Sequence, residues 1–361
     1  MRQGFLVRRD ADRPIQVRLE HTLYRHWGGR SGYPRFIDYL DPVHFRATKH
    51  GAADNDEECP LWLRPMKPWL VRSLRRRRMK WYKLSDLNAE LDALCECLLG
   101  KVDVIHFLDG EHSGQFLPHL LRLVSSGVRT VATFHQPPNL LENILDPGLL
   151  RYFDHIVLMS PSQRPYFDGL ILPDKISVIR HGVDTDFFRP GLRKERLGPL
   201  RCITVGQWLR DWRVFRSVAQ RMPSIEFHVV TGHETGAENL PNVYRHQGLD
   251  DEALASLYRA SDILFLPLQD STANNSLLEG IASGLPTITT DLTSTRSYLS
   301  GDEAILTPVG DADASIVALE RLMADAVLRH RMATLARIQA ETLSWQRVAK
   351  QYESLFAALC S

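Results

Sequence analysis

Short apolar runs rich in β-branched and aromatic residues recur along the chain, separated by amphipathic stretches of helical period. In the first half, residues 14–19, 103–108, 130–134, 155–159 and 175–179 read as strands. A second series follows at 201–205, 226–230, 243–247, 262–266 and 287–290. Residues 86–99 carry the pattern of an amphipathic helix, and residues 35–40 are helical after a Gly-rich turn. Residues 41–60 lack either period and read as loop, and 312–360 reads as a long helical tail. Strands alternating with helices predict an α/β architecture built on parallel sheets. The polar, Gly- and Arg-rich stretch 191–200 reads as the boundary between two such series, and neither repeats nor low-complexity linkers interrupt them.

Residues 270–290 hold the richest local pattern. A polar loop with Ser271, Thr272, Asn274 and Asn275 offers N-cap residues to a helix whose inner face is Leu277, Leu278, Ile281 and Ala282. Gly284 and Pro286 end that helix ahead of a strand of β-branched residues. Free amides and the positive end of a helix make a seat for phosphate. Glu279, over one turn further in, is placed to accept hydrogen bonds from ribose hydroxyls. An ordinary helix–strand unit with Glu279 as a solvated residue is the bland alternative.

Residues 278–286, Leu-Glu-Gly-Ile-Ala-Ser-Gly-Leu-Pro, resemble the nucleotide-sugar loop of the retaining GT-B glycosyltransferases of family 4. In that family an acidic residue precedes the Glu by eight positions; here that position is Ser271, with Asp270 beside it, and Ala273-Asn274 replaces Phe-Gly. The resemblance implies two Rossmann-like doubly wound domains facing a cleft: 1–190 for the acceptor, 191–340 for the nucleotide sugar, and a helix at 341–361 packing back on the first. It is strong over the second domain and weak over the first. Asp270, Asn274, Asn275 and Glu279 are then donor-binding residues. Gly206 resembles the glycine of a Val-Gly-Arg…Lys-Gly segment whose cations grip the diphosphate. Those two cationic positions fall on Gln207 and Trp212, so Arg210 and Arg213 are the implied substitutes. Gly28 and Gly29 resemble the glycine pair that lets backbone approach the diphosphate, and His135 resembles the histidine of a Thr-x-His near the reacting sugar. Asp109 and Glu111 sit at a strand's carboxyl end facing the expected cleft, where either could orient an acceptor hydroxyl.

The resemblance implies sugar transfer from a nucleoside diphosphate sugar with retention. No metal and no cofactor beyond the nucleotide sugar are expected. The missing acid at 271 and missing Lys at 212 keep an inactive partner subunit of another transferase in view; a nucleotide-sugar epimerase or phosphorylase is the other alternative. Each residue also has a plainer reading: Arg210 and Arg213 as solvated cations, His135 as a hydrogen-bonded structural residue, the glycines as turn formers.

Composition narrows the picture little. The 361 residues are enough for two α/β domains, and 44 basic against 43 acidic residues give no nucleic-acid signature. Five scattered cysteines lack zinc or disulfide spacing, which fits a reducing cytoplasm. The first ten residues are too charged for a signal peptide, and no apolar run reaches the length of a membrane span. Residues 61–83 hold nine Lys or Arg, no acid, and Trp62, Trp69 and Trp81. That mixture suits peripheral contact with an anionic membrane face or an acidic acceptor, the plainer reading being a solvated basic face on an acceptor loop. The expected acceptor is a glycan, a lipid-linked sugar or a small molecule.

Overall fold

The computed structural model describes residues 13–24, 29–57, 61–75, 79–124, 126–191 and 198–361. They form two compact units. The first holds the described residues of Met1–Trp27 with Tyr33–Arg180 and Val348–Ser361; the second holds those of Gly28–Gly32 with His181–Arg347.

The first unit is a six-stranded sheet of β1 (Ile15–Leu23), β2 (Phe45–Ala53), β3 (Val104–Phe107), β4 (Arg129–Phe134), β5 (His155–Leu158) and β6 (Ile176–Val178). Every pairing is parallel, in the order β2-β1-β3-β4-β5-β6. The chain direction across the sheet reverses between β1 and β3, which puts a topological switch point at their carboxyl ends. Its helices are α1 (Lys67–Arg75), α2 (Leu84–Leu98), α3 (Leu117–Leu123), α4 (Pro138–Ile144) and α5 (Arg164–Phe167). Phe107, Phe134, Phe153, Leu117 and Leu141 centre the core on one face of the sheet. On α2 the exposed Cys95 and buried Cys97 point to opposite sides. Residues 45–53 depart from the loop expected there. Phe-Arg-Ala-Thr-Lys-His-Gly-Ala-Ala has little β-branched content, but all nine residues pair in register with β1 as an edge strand, so tertiary pairing overrides weak propensity.

The second unit is also all-parallel, with β7 (Arg201–Val205), β8 (Glu226–Val230), β9 (Val243–His246), β10 (Ile263–Leu266), β11 (Thr287–Thr290) and β12 (Ala304–Thr307). Its order, β12-β11-β10-β7-β8-β9, places the reversal between β7 and β10. Its helices are α6 (Trp212–Arg221), α7 (Asp251–Arg259), α8 (Asn275–Ala282), α9 (Thr293–Tyr298), α10 (Ala312–Ala324) and α11 (Ala326–Thr342); α12 (Trp345–Cys360) begins in this unit and continues into the first. The long helical tail consists of three helices, the last of which lies within the 341–361 segment expected to be helical. Asp325 ends α10 in an extended conformation and caps α11 by accepting the Leu328 amide at 2.8 Å, and a turn at Leu343–Ser344 precedes α12. Residues 348–361 belong to the first unit, where Tyr352 stacks on Phe36 at 4.0 Å and Phe356 meets Phe45 and His106.

One contrast between the units bears on function. In the first, the Glu90 carboxylate accepts the amides of Gly114, Gln115, Phe116 and Leu117 at 2.6 to 3.0 Å, filling the anion seat at the start of α3. In the second, Asn274 caps α8 through the Leu277 amide alone, and the amides of Asn275 and Ser276 donate to no group among the described residues. The anion seat is internally plugged in one unit and open in the other.

Candidate functional site

At the β7/β10 switch point the sequence builds a tight knot. Gly206 follows β7 at φ 95°, a left-handed conformation, and a Cβ there would lie 2.5 Å from Arg210 Nη2, so the position needs glycine twice over. Leu209 is also left-handed at φ 55°, completing a turn that aims Arg210 inward. Backbone bonds from Gln269 to Leu209 and from Asp211 to Pro267 stitch this turn to the segment after β10.

Arg210 is buried, and its guanidinium spends its donors on the protein. Nε and Nη2 donate to Val205 O at 2.9 and 2.7 Å, and Nη1 to Trp208 O at 2.9 Å. Nη2 also reaches Asn274 Oδ1 at 3.3 Å and Ser276 Oγ at 3.2 Å. Burial lowers its pKa to about 10, with Tyr258 and Glu279 opposing the shift. Arg210 thus pins the end of β7 to the first turn of α8. Arg213, on the exposed side of α6, reaches instead toward Gly310 O at 3.4 Å and is not brought to this knot. We expect Arg213→Ala to change the denaturation free energy by less than about 0.5 kcal/mol, checked by urea titration.

Glu279 is buried, 5 % exposed, with both oxygens bonded. Oε1 accepts Ser31 Oγ at 2.6 Å and Oε2 accepts the Tyr258 hydroxyl at 3.0 Å. Burial raises its pKa; Ser31, Tyr258 and Arg210 pull it back and Asp251 adds to the rise. Around it lie Arg30, Asn275, His181 and Asp184, with Asn275 Oδ1 buried and without a partner. Gly29 lies against Asp251, whose carboxylate accepts the Arg30 amide at 2.9 Å. Gly28 lies outside the described residues. Among the described residues, Asp270 accepts the amide of its neighbour Ser271, at 2.7 Å, and is not brought to Glu279. The knot therefore unites Gly206, Arg210, Asn274, Asn275 and Glu279. Ser31 and Tyr258 were not singled out from sequence. Ser31 sits in a Gly-rich turn that marks it only weakly, and a tyrosine on the inner face of α7 reads as core.

In the first unit a second cluster forms at the β1/β3 switch point. Asp109 Oδ2 accepts the Thr22 amide at 2.8 Å, joining the ends of β3 and β1. Glu111 Oε1 accepts the Gln136 amide at 2.7 Å and also the His135 amide. His135 donates from Nε2 to Leu108 O at 2.6 Å and its ring lies 3.8 Å from that of Tyr33. Asp109, Glu111 and His135 are thus brought together. Burial pushes Asp109 up to about 7 and Glu111 to about 8, near-neutral carboxyls able to hold or release a proton. Burial lowers His135 to about 4. A histidine with a depressed folded pKa contributes stability fully present above its unfolded value and lost as pH falls toward the folded one. His135→Gln keeps a donor for Leu108 O without the titration. Between pH 6.5 and 4 its urea midpoint should fall less than that of the wild type.

Comparison with known proteins bears on family and fold. A family model for glycosyltransferase family 4 matches residues 41–187, and one for glycosyl transferases group 1 matches 209–325. A D-inositol 3-phosphate glycosyltransferase of Corynebacterium aurimucosum is 27 % identical over 217 residues, covering 51 % of this chain and 52 % of that protein. The chain spans about half the length of the curated relatives it matches. Among solved structures, sucrose-phosphate synthase from Thermosynechococcus elongatus has TM-score 0.72 at 16 % identity, covering 95 % of this chain and all of the other. Anabaena Alr3699/HepE, solved with UDP, has TM-score 0.68 at 12 % identity, covering 95 % of this chain and all of the other. The two doubly wound units are those of the GT-B fold. The chain belongs to the family 4, group 1 glycosyltransferases.

Proposed function

We propose that the chain transfers a sugar from a nucleoside diphosphate sugar to an acceptor hydroxyl, with retention of configuration and without a metal. The observation that carries this is the pairing of an open helix start with a buried carboxylate one turn in, at the β7/β10 switch point. The free amides of Asn275 and Ser276 suit a diphosphate, and Glu279 suits the ribose hydroxyls. The relative solved with UDP supports a nucleoside diphosphate as the ligand type.

In the proposed reaction the acceptor oxygen bonds to the anomeric carbon as the bond from that carbon to the phosphate oxygen breaks. The acceptor proton passes to the departing phosphate, on the same face of the sugar, so no enzyme nucleophile is needed. Charge gathering on the leaving diphosphate is met by the α8 amides and helix dipole. Arg210 acts as a positioning residue that holds Asn274 and Ser276. Asp109, Glu111 and His135 form the acceptor-side cluster of the first unit.

We further propose a cytoplasmic protein with peripheral contact through residues 61–83, of which 76–78 lie outside the described residues. Trp69 there is 62 % exposed, and no described helix is long and apolar enough to cross a membrane. A thermal-shift panel with UDP, GDP, ADP and dTDP tests the donor and names its base. Anomer analysis of the product tests retention, and EDTA leaving turnover unchanged tests metal independence. An inactive partner subunit is favoured instead if none of the four nucleotides stabilises the protein while it copurifies with a second transferase.

A further inference from the structure

We infer that Ser31 Oγ occupies the seat of a ligand hydroxyl on Glu279, and that Tyr258 is the positioning residue that aims this carboxylate. The inference rests on the donor reading of Glu279 given above. A carboxylate that binds a diol must offer lone pairs to arriving hydroxyls, yet here one oxygen is already taken by a hydroxyl of the chain's own loop at 2.6 Å. The cavity lined by Arg30, Ser31, His181, Asp184, Asn275 and Glu279 retains a volume of only about 10 Å³. That is at the lower limit for a single water and far below a ribose. Arg30, Ser31 and Gly32 therefore take up the space beside Glu279 that a ribose would need.

The loop's other ties are of a kind that can be released. The Arg30 amide donates to Asp251 Oδ2 at 2.9 Å, its guanidinium stands 3.7 Å from Asp184 Oδ2, and it lies 5.0 Å over the Phe187 ring. The Arg30 side chain is half exposed, so these contacts are screened by solvent. Exchanging the Ser31 hydroxyl for a ribose hydroxyl conserves the hydrogen bond to Glu279, so entry of ligand need not leave the carboxylate bare. Tyr258 differs in kind. It is fully buried on α7, bonded to Oε2 at 3.0 Å, and packed edge-on against Phe188, a fixed partner that holds the carboxylate while its other oxygen changes partner.

Amide hydrogen exchange and nucleotide titration test both halves. Without nucleotide, Ser31→Ala should accelerate exchange at the Arg30 amide; an unchanged rate overturns the claim that Ser31 holds the loop. With the nucleoside diphosphate among UDP, GDP, ADP and dTDP that stabilises the protein, exchange at Arg30 should speed up, the reverse of ordinary ligand protection. Ser31→Ala should bind that nucleotide about 3- to 10-fold tighter, the worth of one hydrogen bond. Slower exchange with weaker binding overturns the inference and makes Ser31 a ligand contact instead. Tyr258→Phe keeps the ring packing and removes the bond that lowers the Glu279 pKa. The groups facing Glu279 are Arg210, Tyr258 and Asp251, with Arg30, His181 and Asp184 in the same cavity. Binding to the ionised carboxylate is lost as pH falls through its pKa, so in Tyr258→Phe that loss should move to higher pH. An unmoved pH profile removes the positioning role. If no nucleotide stabilises wild type or Ser31→Ala, the donor reading itself fails, and the nucleotide-free exchange rates still decide whether Ser31 holds the loop.

Discussion

Glu279→Ala is expected to lose nucleotide binding while keeping its fold. On the proposed reading the Glu279 carboxylate accepts ligand hydroxyls, and hydrogen bonds to a charged group contribute about 1.5–3 kcal/mol each. Losing two of them predicts an affinity drop of about 100-fold or more. At a nucleotide concentration 100 times the wild-type dissociation constant, the wild type gains about 2.7 kcal/mol of stability and the variant close to none. The unliganded variant should differ little in thermal midpoint. Alanine leaves the Tyr258 hydroxyl without the acceptor it has at 3.0 Å, but it also removes a buried carboxyl whose ionisation is costly. Differential scanning fluorimetry of both proteins, with and without nucleotide, reads the two effects separately. Equal stabilisation of both proteins by nucleotide would remove Glu279 from the donor site. A collapse of the unliganded midpoint would make it a structural residue first.

Much of the architecture was legible because both sheets are built from short apolar strands at the sites the residue pattern marks. Ten of the twelve strands coincide with runs such as Thr130–Phe134 and Arg201–Val205 that carry their own β propensity. The two that escaped, β2 and β12, are edge strands whose pairing is supplied by a neighbour rather than by their own sequence. The break inside the helical tail was hidden because Asp325 interrupts an otherwise helical composition with one capping contact. In the site, the capped helix that carries Glu279 was readable from local spacing, but its burial was not, since the same spacing also fits a solvated residue. Arg210 was readable as a cation near the knot, but the direction of its guanidinium depends on the left-handed turn at Gly206 and Leu209. Ser31 and Tyr258 meet Glu279 across 248 and 21 residues, and no local pattern encodes a contact of that kind.

Arg210→Ala should cost the fold more than it costs any single contact to ligand. The guanidinium serves two backbone carbonyls, Val205 O and Trp208 O, and two side chains at the start of α8, all in a buried setting. Alanine leaves those acceptors short of donors and opens a void beside Gly206. The combined loss is about 3 kcal/mol or more. For a domain of this size that lowers the melting temperature by roughly 6–12 °C. Arg210→Lys should recover only part of it, because one ammonium group cannot reproduce the planar fork that reaches Val205 O, Trp208 O and Asn274 together. The nucleotide response should weaken in both variants even well below their melting temperatures, since the open amides of Asn275 and Ser276 stand on the turn that Arg210 secures. Calorimetry of unfolding alongside nucleotide titration distinguishes this from direct contact. A variant that melts with the wild type yet binds no nucleotide would show that Arg210 turns outward to grip the diphosphate, and the clamp would then be only its resting position.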